Sequence, residues 1–179
     1  MKYLSVLFLA SIISLNAFSQ TATKQYSFFH EKFLIFSTVK PYEEDARNTV
    51  SQLAFEAYSD IKRYSFMNMI KRGMISITVA EFKKEAPMYA DDVLNQLIES
   101  YGSTPEFTAN FSKSRVLDNS SFSGYQVSGR AYVKGKESSY IHLAVLTNNK
   151  TMMTMVAVYE NVNDEIAINK ILTSIKRKY

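Results

Sequence analysis

The sequence predicts an α/β fold of the α+β type, in which a mostly antiparallel sheet carries a helix on each face to form an α/β/α sandwich. The strands fall into two consecutive runs with links of hairpin length, and a helix with an apolar stripe follows each run. Residues 141–146 and 152–158 are apolar on both faces of their strands, which predicts cover on both sides of the sheet. The predicted order is four strands, a helix, four strands and a C-terminal helix.

Alternating or continuous apolar residues predict the first four strands, at residues 33–36, 53–58, 64–70 and 74–82. Pro41 ends the extension of the first strand, because proline has no N–H to donate to a neighbouring strand. Gly73 lies between the third and fourth strands, where it can adopt the positive φ of a hairpin turn. Residues 42–48 are polar and predict a loop or a short helical turn.

Apolar residues at helical spacing predict two helices. The first covers residues 90–101, begins with two aspartates, and is followed by Gly102 as a left-handed terminating residue. The second begins at Asn163, whose side chain can cap the first turn, and extends to Lys176. This places the basic run of residues 176–178 at the C-terminal end of the helix, where cations complement the helix dipole.

Four further strands are predicted between the two helices, at residues 107–117, 124–133, 139–146 and 152–159. The two asparagines at 148–149 suit a two-residue turn between the last two strands, since asparagine tolerates positive φ. That turn predicts a register in which Val145 pairs with Met152 and His142 pairs with Met155.

The first 19 residues are typical of a secretory signal peptide, and residues 20–179 are predicted to form a single domain. A positive start precedes an apolar run over residues 3–15, and a small-x-small site at residues 17–19 precedes Gln20. A membrane anchor is the alternative, but the run has 13 residues and a span needs roughly 20. We expect cleavage after Ser19 and a soluble periplasmic or secreted product without a transmembrane span.

Composition excludes several function classes. The chain has no cysteine, which excludes a disulfide framework, a thiolate zinc site and a cysteine nucleophile. Its net charge is +4, but the basic residues occur mostly as pairs scattered along the chain. Nucleic-acid binding predicts a continuous basic stripe with interleaved aromatic residues, so we expect a solvated surface and no nucleic-acid partner.

The predicted order of elements resembles the PsbP-like fold, which includes the photosystem extrinsic protein and the bacterial DcrB-type exported proteins. The matching segments are residues 33–37 leading to Lys40-Pro41, residues 74–79 before a helix, the strands through Gly124 and Gly129, and residues 171–176. Family members often carry a tryptophan after the proline, where this chain has Tyr42, and the lipobox cysteine of DcrB-type lipoproteins is absent. The resemblance implies a scaffold that serves varied binding roles.

The chain has two histidines, His30 and His142, and histidine is the most common general base in enzymes. The sequence has no Gly-x-Ser-x-Gly nucleophile elbow, no histidine pair at i and i+4, no calcium-loop spacing and no phosphate-binding glycine pattern. We therefore assign no catalytic, cofactor-binding or metal-binding residue and expect no cofactor, and the residues that bind a ligand remain unknown.

Three hypotheses for the function follow. The first is an exported, non-enzymatic binding or assembly module of the cell envelope, whose partner is an envelope protein or a small ligand. The second is an enzyme with a dispersed site around His142, Tyr140 and Glu160. The third is a carrier of small apolar ligands of the helix-grip type, which needs an enclosed apolar cavity. The missing catalytic motifs favour the first hypothesis, in which His142 is a half-buried strand residue packed beside Met155.

Overall fold

A computed structural model describes residues 23–46, 57–67, 69–70, 72–85, 89–102 and 107–178. The predicted signal peptide and residues 53–56 of the second predicted strand lie outside these ranges. In chain order the elements are β1 (Lys24–Phe28), β2 (Phe33–Ser37), β3 (Tyr42–Asp45), β4 (Tyr58–Ser65), β5 (Gly73–Phe82), α1 (Ala90–Gly102), β6 (Phe107–Phe111), β7 (Arg115–Val116), β8 (Ser123–Val133), β9 (Lys136–Thr147), β10 (Thr151–Tyr159), α2 (Asp164–Ser174) and β11 (Lys176–Arg177).

Within the described ranges the strands form one large antiparallel sheet and one small sheet. The large sheet has the order β3-β4-β5-β10-β9-β8-β6, and β7 also pairs with β8. The small sheet has the order β1-β2-β11. The predicted α+β class with a mostly antiparallel sheet is therefore confirmed. None of the helices in these ranges combines the length and the apolar character that crossing a membrane requires.

Both faces of the large sheet are covered, as the doubly apolar strands predicted. On one face, Leu94 of α1 packs with Val127, Ile141, Leu143 and Val145 of β8 and β9. The opposite face packs against α2 and also against the small sheet. Its buried residues include Ile75, Ile77, Met153, Met155, Ile168, Ile171, Leu172, Phe33 and Ile35. Alternate residues of β9 therefore belong to different cores.

Ahead of α1, the prediction missed two strands, β1 and the short edge strand β3. Residues 33–36 form β2 as predicted, but β2 pairs with β1 in the small sheet and not with the main sheet. Residues 42–45 form β3, where a loop or helical turn was predicted, and pair with β4. All four side chains of β3 are exposed, so no apolar alternation marked it as a strand.

The connection between β4 and β5 corrects two further predictions. β4 ends at Ser65, so residues 66–67 and 69–70 are not strand, although Phe66 and Ile70 are buried. Burial within the connection explains why their apolar character resembled a continuing strand. Gly73 is the first residue of β5, and a Cβ atom there would lie 2.2 Å from the Val158 carbonyl oxygen. Gly73 has a positive φ of 158°, as predicted, but it lies in the strand and not in a turn, and its close approach to β10 also constrains it.

The predicted strand at 107–117 is interrupted. β6 pairs Phe111 with Gly129 of β8, whereas β7 pairs Arg115 with Gln126. Residues 112–114 therefore lie opposite only two residues of β8, 127–128. This mismatch is a β-bulge at the edge of the sheet. Bulges redirect side chains locally, and this one forms a wall of the groove described below.

The hairpin between β9 and β10 has a register two residues away from the predicted one. Met152 pairs with Thr147 and not with Val145, and His142 pairs with Ala157 and not with Met155. The Asn148 side chain closes the turn by accepting hydrogen bonds from the N–H groups of residues 150 and 151 at 2.9 and 2.7 Å. Neither asparagine has positive φ. A shift of two residues keeps every side chain on its predicted face, so the prediction of burial was unaffected.

The two helices occur where predicted, but their ends differ. Gly102 belongs to the last turn of α1 and has no positive φ. Asn163 makes no side-chain cap; instead the Asn161 side chain accepts the Asn163 N–H at 3.0 Å. α2 ends at Ser174, and residues 176–177 form β11, so the basic run does not lie at a helix end.

Candidate functional site

A polar network centred on His142 lies on the face of the large sheet that carries α2. The ring of His142 is completely buried. Its Nδ1 lies 3.1 Å from the Ser128 hydroxyl oxygen, and its Nε2 lies 3.0 Å from the Gln126 side-chain oxygen. The Ser128 hydroxyl donates to Glu165 Oε1 at 2.8 Å, and Arg115 Nη2 lies 3.2 Å from the same oxygen. The network thus joins β7, β8, β9 and α2.

Hydrogen-bond stoichiometry fixes the direction of the network. A serine has one O–H, and because Ser128 donates it to Glu165, its oxygen accepts the Nδ1–H of His142. A neutral ring with its proton on Nδ1 needs a donor at Nε2. The Gln126 amide supplies that donor when it is assigned with its nitrogen towards Nε2, the half-turn alternative to the oxygen that lies there at 3.0 Å. With that assignment both ring nitrogens are satisfied inside the protein.

Burial sets the protonation states of this network. Burial disfavours the charged imidazolium and lowers the pKa of His142 to about 4, against an opposing effect of Glu165 and with a further lowering by Arg115. Burial also raises the pKa of Tyr159 well above its usual range, and the charge of Glu165 acts in the same direction. Near neutral pH the histidine is neutral and the phenol is protonated.

An open groove of about 700 Å³ lies above this network. We call it the α2 groove, because the start of α2 forms one of its walls. Residues 110–115 form the opposite wall, residues 128–130 with Tyr140 and Tyr159 form the floor, and Val162 and Glu165 complete the helix wall. The bulge at 112–114 interrupts the pairing of the opposite wall with β8, and the partly exposed Ser128 lines the groove between the walls.

Aromatic rings and cations share the floor and rim of the α2 groove. The Tyr140 and Tyr159 rings stack with their centroids 5.6 Å apart, and the Arg130 guanidinium lies over Tyr140 at 5.4 Å. Arg130 also contacts Glu137 at 2.7 Å, and Lys113 and Arg115 extend from the bulged wall. This combination of stacked rings with exposed cations is suited to binding carboxylates beside an apolar group.

Of the residues in the predicted dispersed site, the structure brings two together. Tyr140 and His142 lie on the same face of β9. Tyr140 lines the α2 groove, and His142 belongs to the network beneath it. Glu160 does not join them: it contacts Arg72 at 3.2 Å on the exposed side of the β10 end. His142 is completely buried and not half-buried; it contacts Ser128 and Gln126, and across the strands it pairs with Ala157 and not with Met155.

The second histidine, His30, lies in the turn between β1 and β2. Phe29, His30 and Glu31 have φ values of 49°, 55° and 62°, which form a left-handed turn between β1 and β2. Left-handed backbone costs roughly 1–2 kcal/mol for each non-glycine residue. Contacts on both sides hold the turn: the Phe29 N–H donates to the Tyr64 hydroxyl at 2.8 Å, and His30 contacts Asp60 at 2.5 Å.

Sequence reasoning missed Ser128, Glu165, Arg115 and Gln126. One indication was available, because residues 126, 128 and 130 are polar on alternate positions of a strand in a sheet predicted to be covered on both faces. The partners on β7 and α2 carried no such indication, since they are ordinary charged residues near element ends. Among the described residues, no three His, Cys, Asp or Glu side chains come close enough together to hold a metal ion.

The chain has a PsbP-like fold, which confirms the resemblance at the level of the fold. The chain is similar to cyanobacterial PsbP (CyanoP) from Synechocystis sp. PCC 6803, with a TM-score of 0.63 and 12% sequence identity. The similarity covers 90% of this chain and 96% of that one. No protein-family model matches the chain, and no curated protein matches it. The structural comparison therefore establishes the fold and leaves the function to be argued from the groove.

Proposed function

We propose that this chain is an exported, non-enzymatic binding or assembly module of the cell envelope and that the α2 groove is its binding surface. The observation that carries the proposal is the way Ser128, His142 and Glu165 satisfy one another below the groove. Their residue types suit nucleophilic catalysis, but the serine hydroxyl donates to the carboxylate of Glu165 at 2.8 Å, whereas His142 Nδ1 lies further away, at 3.1 Å. Activation of a serine needs the reverse arrangement.

The electrostatics of the site support the same proposal. A general base works best when its pKa lies near the working pH, whereas the pKa of His142 is lowered to about 4. The ring is also completely buried, so a substrate in the groove has no access to it. The network serves to hold Glu165 in place at the helix wall and Arg115 at the opposite wall.

The remaining two hypotheses are weaker. The enzyme hypothesis has one favourable observation, the contiguity of Ser128, His142 and Glu165. The carrier hypothesis needs an enclosed apolar cavity, whereas the α2 groove is open and has Lys113, Arg115 and Arg130 along it. Export to the periplasm or beyond rests on the signal-peptide pattern of residues 1–19.

A groove-blocking variant tests the proposal. Ser114 is exposed on the bulged wall, so Ser114→Trp introduces a large side chain at the groove. Ser100→Trp, on an exposed position of α1, is the matched control. After confirmation of folding by circular dichroism, each variant is assayed for rescue of the phenotype of gene deletion. We expect Ser114→Trp to lose the rescue and Ser100→Trp to retain it; equal rescue by both variants contradicts the proposal.

A further inference from the structure

We propose that the α2 groove binds an extended acidic segment of a partner protein, with two carboxylates four residues apart and an apolar side chain between them. This inference rests on the binding function proposed above and adds the chemistry of the partner.

The charge of the groove lining is the first step. Three cations, Lys113, Arg115 and Arg130, line the groove together with one carboxylate, Glu165. Glu165 is 27% exposed and bonded to Ser128, whereas the side chains of Arg115 and Arg130 are 58% and 53% exposed. The surface offered to a ligand is therefore positive, and it complements an acidic partner.

The two arginines retain donors for a ligand. Arg115 contacts Glu165 through Nη2, and Arg130 contacts Glu137 through Nη1. A guanidinium has five N–H donors, and each of these contacts uses a single terminal nitrogen. The chain's own carboxylates thus orient both side chains while other N–H groups remain able to bind a second carboxylate.

The register of the strands sets the spacing of the ligand's charges. Arg115 lies opposite Gln126 of β8, and Arg130 lies four residues further along the same strand. At about 3.3 Å per residue the two positions are roughly 13 Å apart. An extended peptide places residues i and i+4 on one side at the same separation. A single carboxylate or phosphate group is too small to span both arginines.

The floor of the groove selects the residue between the carboxylates. The stacked rings of Tyr140 and Tyr159 lie level with Arg130, because Arg130 pairs with Tyr140 and Tyr140 pairs with Tyr159, and Val162, 51% exposed, lies on the helix wall. An aromatic or aliphatic side chain at i+2 points to the same side as the two acids and lies about 7 Å along the strand from these rings, a diagonal separation that aromatic and long side chains span. The acidic strand β3 of a second copy is a poorer occupant, because Glu43 already contacts Tyr64 and Lys62.

Three fluorescein-labelled probe peptides test this inference by fluorescence anisotropy, with protein purified after expression of the full chain. The probes are Glu-Ser-Phe-Ser-Glu, its uncharged form Gln-Ser-Phe-Ser-Gln, and Glu-Glu-Phe-Ser-Ser, which has the same charge at a different spacing. We expect the first probe to bind at least about tenfold more tightly than the other two and to weaken with added salt. Arg115→Gln and Arg130→Gln should each weaken it by about tenfold.

The matched control is Arg72→Gln. Arg72 is an exposed arginine that contacts Glu160 at 3.2 Å, the same distance as between Arg115 and Glu165, and it lies outside the groove. We expect this variant to bind the first probe as the wild-type protein does. Equal weakening by Arg72→Gln, or equal affinity for both acidic probes, shows general charge attraction and overturns the inference.

Other outcomes separate this inference from the proposed function. If the probes do not bind and Ser114→Trp loses the rescue, the inference that the partner offers an acidic segment is overturned, but the groove remains the binding surface. Absence of probe binding together with full rescue overturns both. Self-association in sedimentation that Arg130→Gln abolishes assigns the groove to a second copy of the chain and also overturns the inference.

Discussion

The two histidines of this chain each lie beside a carboxylate, yet their surroundings are opposite. The His30 side chain is 56% exposed and contacts Asp60 at 2.5 Å, at a strained left-handed turn. His142 is completely buried, lies 4.0 Å from Glu165 and contacts it through Ser128. The exposed pair holds a surface turn, whereas the buried ring is part of the scaffold of a groove. Solvent access, and not residue type, decides what each pair can do.

The largest effect on the stability of the protein is expected from a substitution on the face of β9 opposite His142. Ile141 is completely buried against α1, and Ile141→Asp places a carboxylate in that apolar core. An uncompensated buried charge costs about 3–5 kcal/mol, a large part of the stability of a domain. We expect the variant to be unfolded or to melt at a much lower temperature in circular dichroism. Ile141→Val, which should cost roughly 1 kcal/mol, is the control. An unchanged melting temperature of Ile141→Asp contradicts the buried assignment of this face.

The pH dependence of stability distinguishes the buried histidine. In the unfolded chain His142 protonates near pH 6.5, whereas in the folded protein its pKa is lowered to about 4. Between these values the unfolded state binds more protons, so the free energy of unfolding falls as the pH drops from about 6.5 towards 4. The expected contribution is roughly 3 kcal/mol. Urea unfolding at pH 7 and pH 4.5 measures it, and His142→Gln should have a correspondingly smaller pH dependence. Parallel pH dependence of the two proteins shows that His142 is not buried in its neutral form.

The smallest effect on the free energy of unfolding is expected from a substitution in the left-handed turn between β1 and β2. Glu31 has a φ of 62° and is 75% exposed, with an ion pair to Lys178 at 3.0 Å. Glu31→Gly removes the steric cost of the left-handed backbone and loses an exposed ion pair that contributes about 0–1 kcal/mol. We expect the free energy of unfolding to rise by up to about 1 kcal/mol. Glu31→Ala loses the same ion pair but keeps the steric cost, so it should be neutral or destabilising. A more stable alanine than glycine variant refutes the assigned strain.

The sequence predicted those parts of the fold that have a regular apolar pattern. The stripe of α1 and the doubly apolar strands β9 and β10 were recognisable because packing on both faces of a sheet requires them. β3 could not be recognised in this way, because its four residues are exposed and are held by backbone pairing with β4. The register of the last hairpin depended on the side chain of Asn148 and not on positive φ at the asparagines.

The candidate site was less accessible to sequence reasoning. Tyr140 and His142 were recognised as neighbours because they alternate on one strand, but Glu160 was included wrongly. Arg115, Ser128 and Glu165 are separated along the chain and meet only because the bulge after β6 and the start of α2 lie beside β8. Such a meeting is a property of topology, which the local pattern of residues does not encode.

The central claim is that the polar network below the α2 groove is structural and the groove itself binds. His142→Gln tests it most directly, after circular dichroism has shown that the protein is folded. The variant is assayed for rescue of the gene-deletion phenotype at pH 7. We predict rescue close to that of the wild-type chain, because the imidazole is not used chemically. A folded His142→Gln protein that behaves like the deletion, consistent with loss of a general base worth about 10²–10⁴ in rate, contradicts the account.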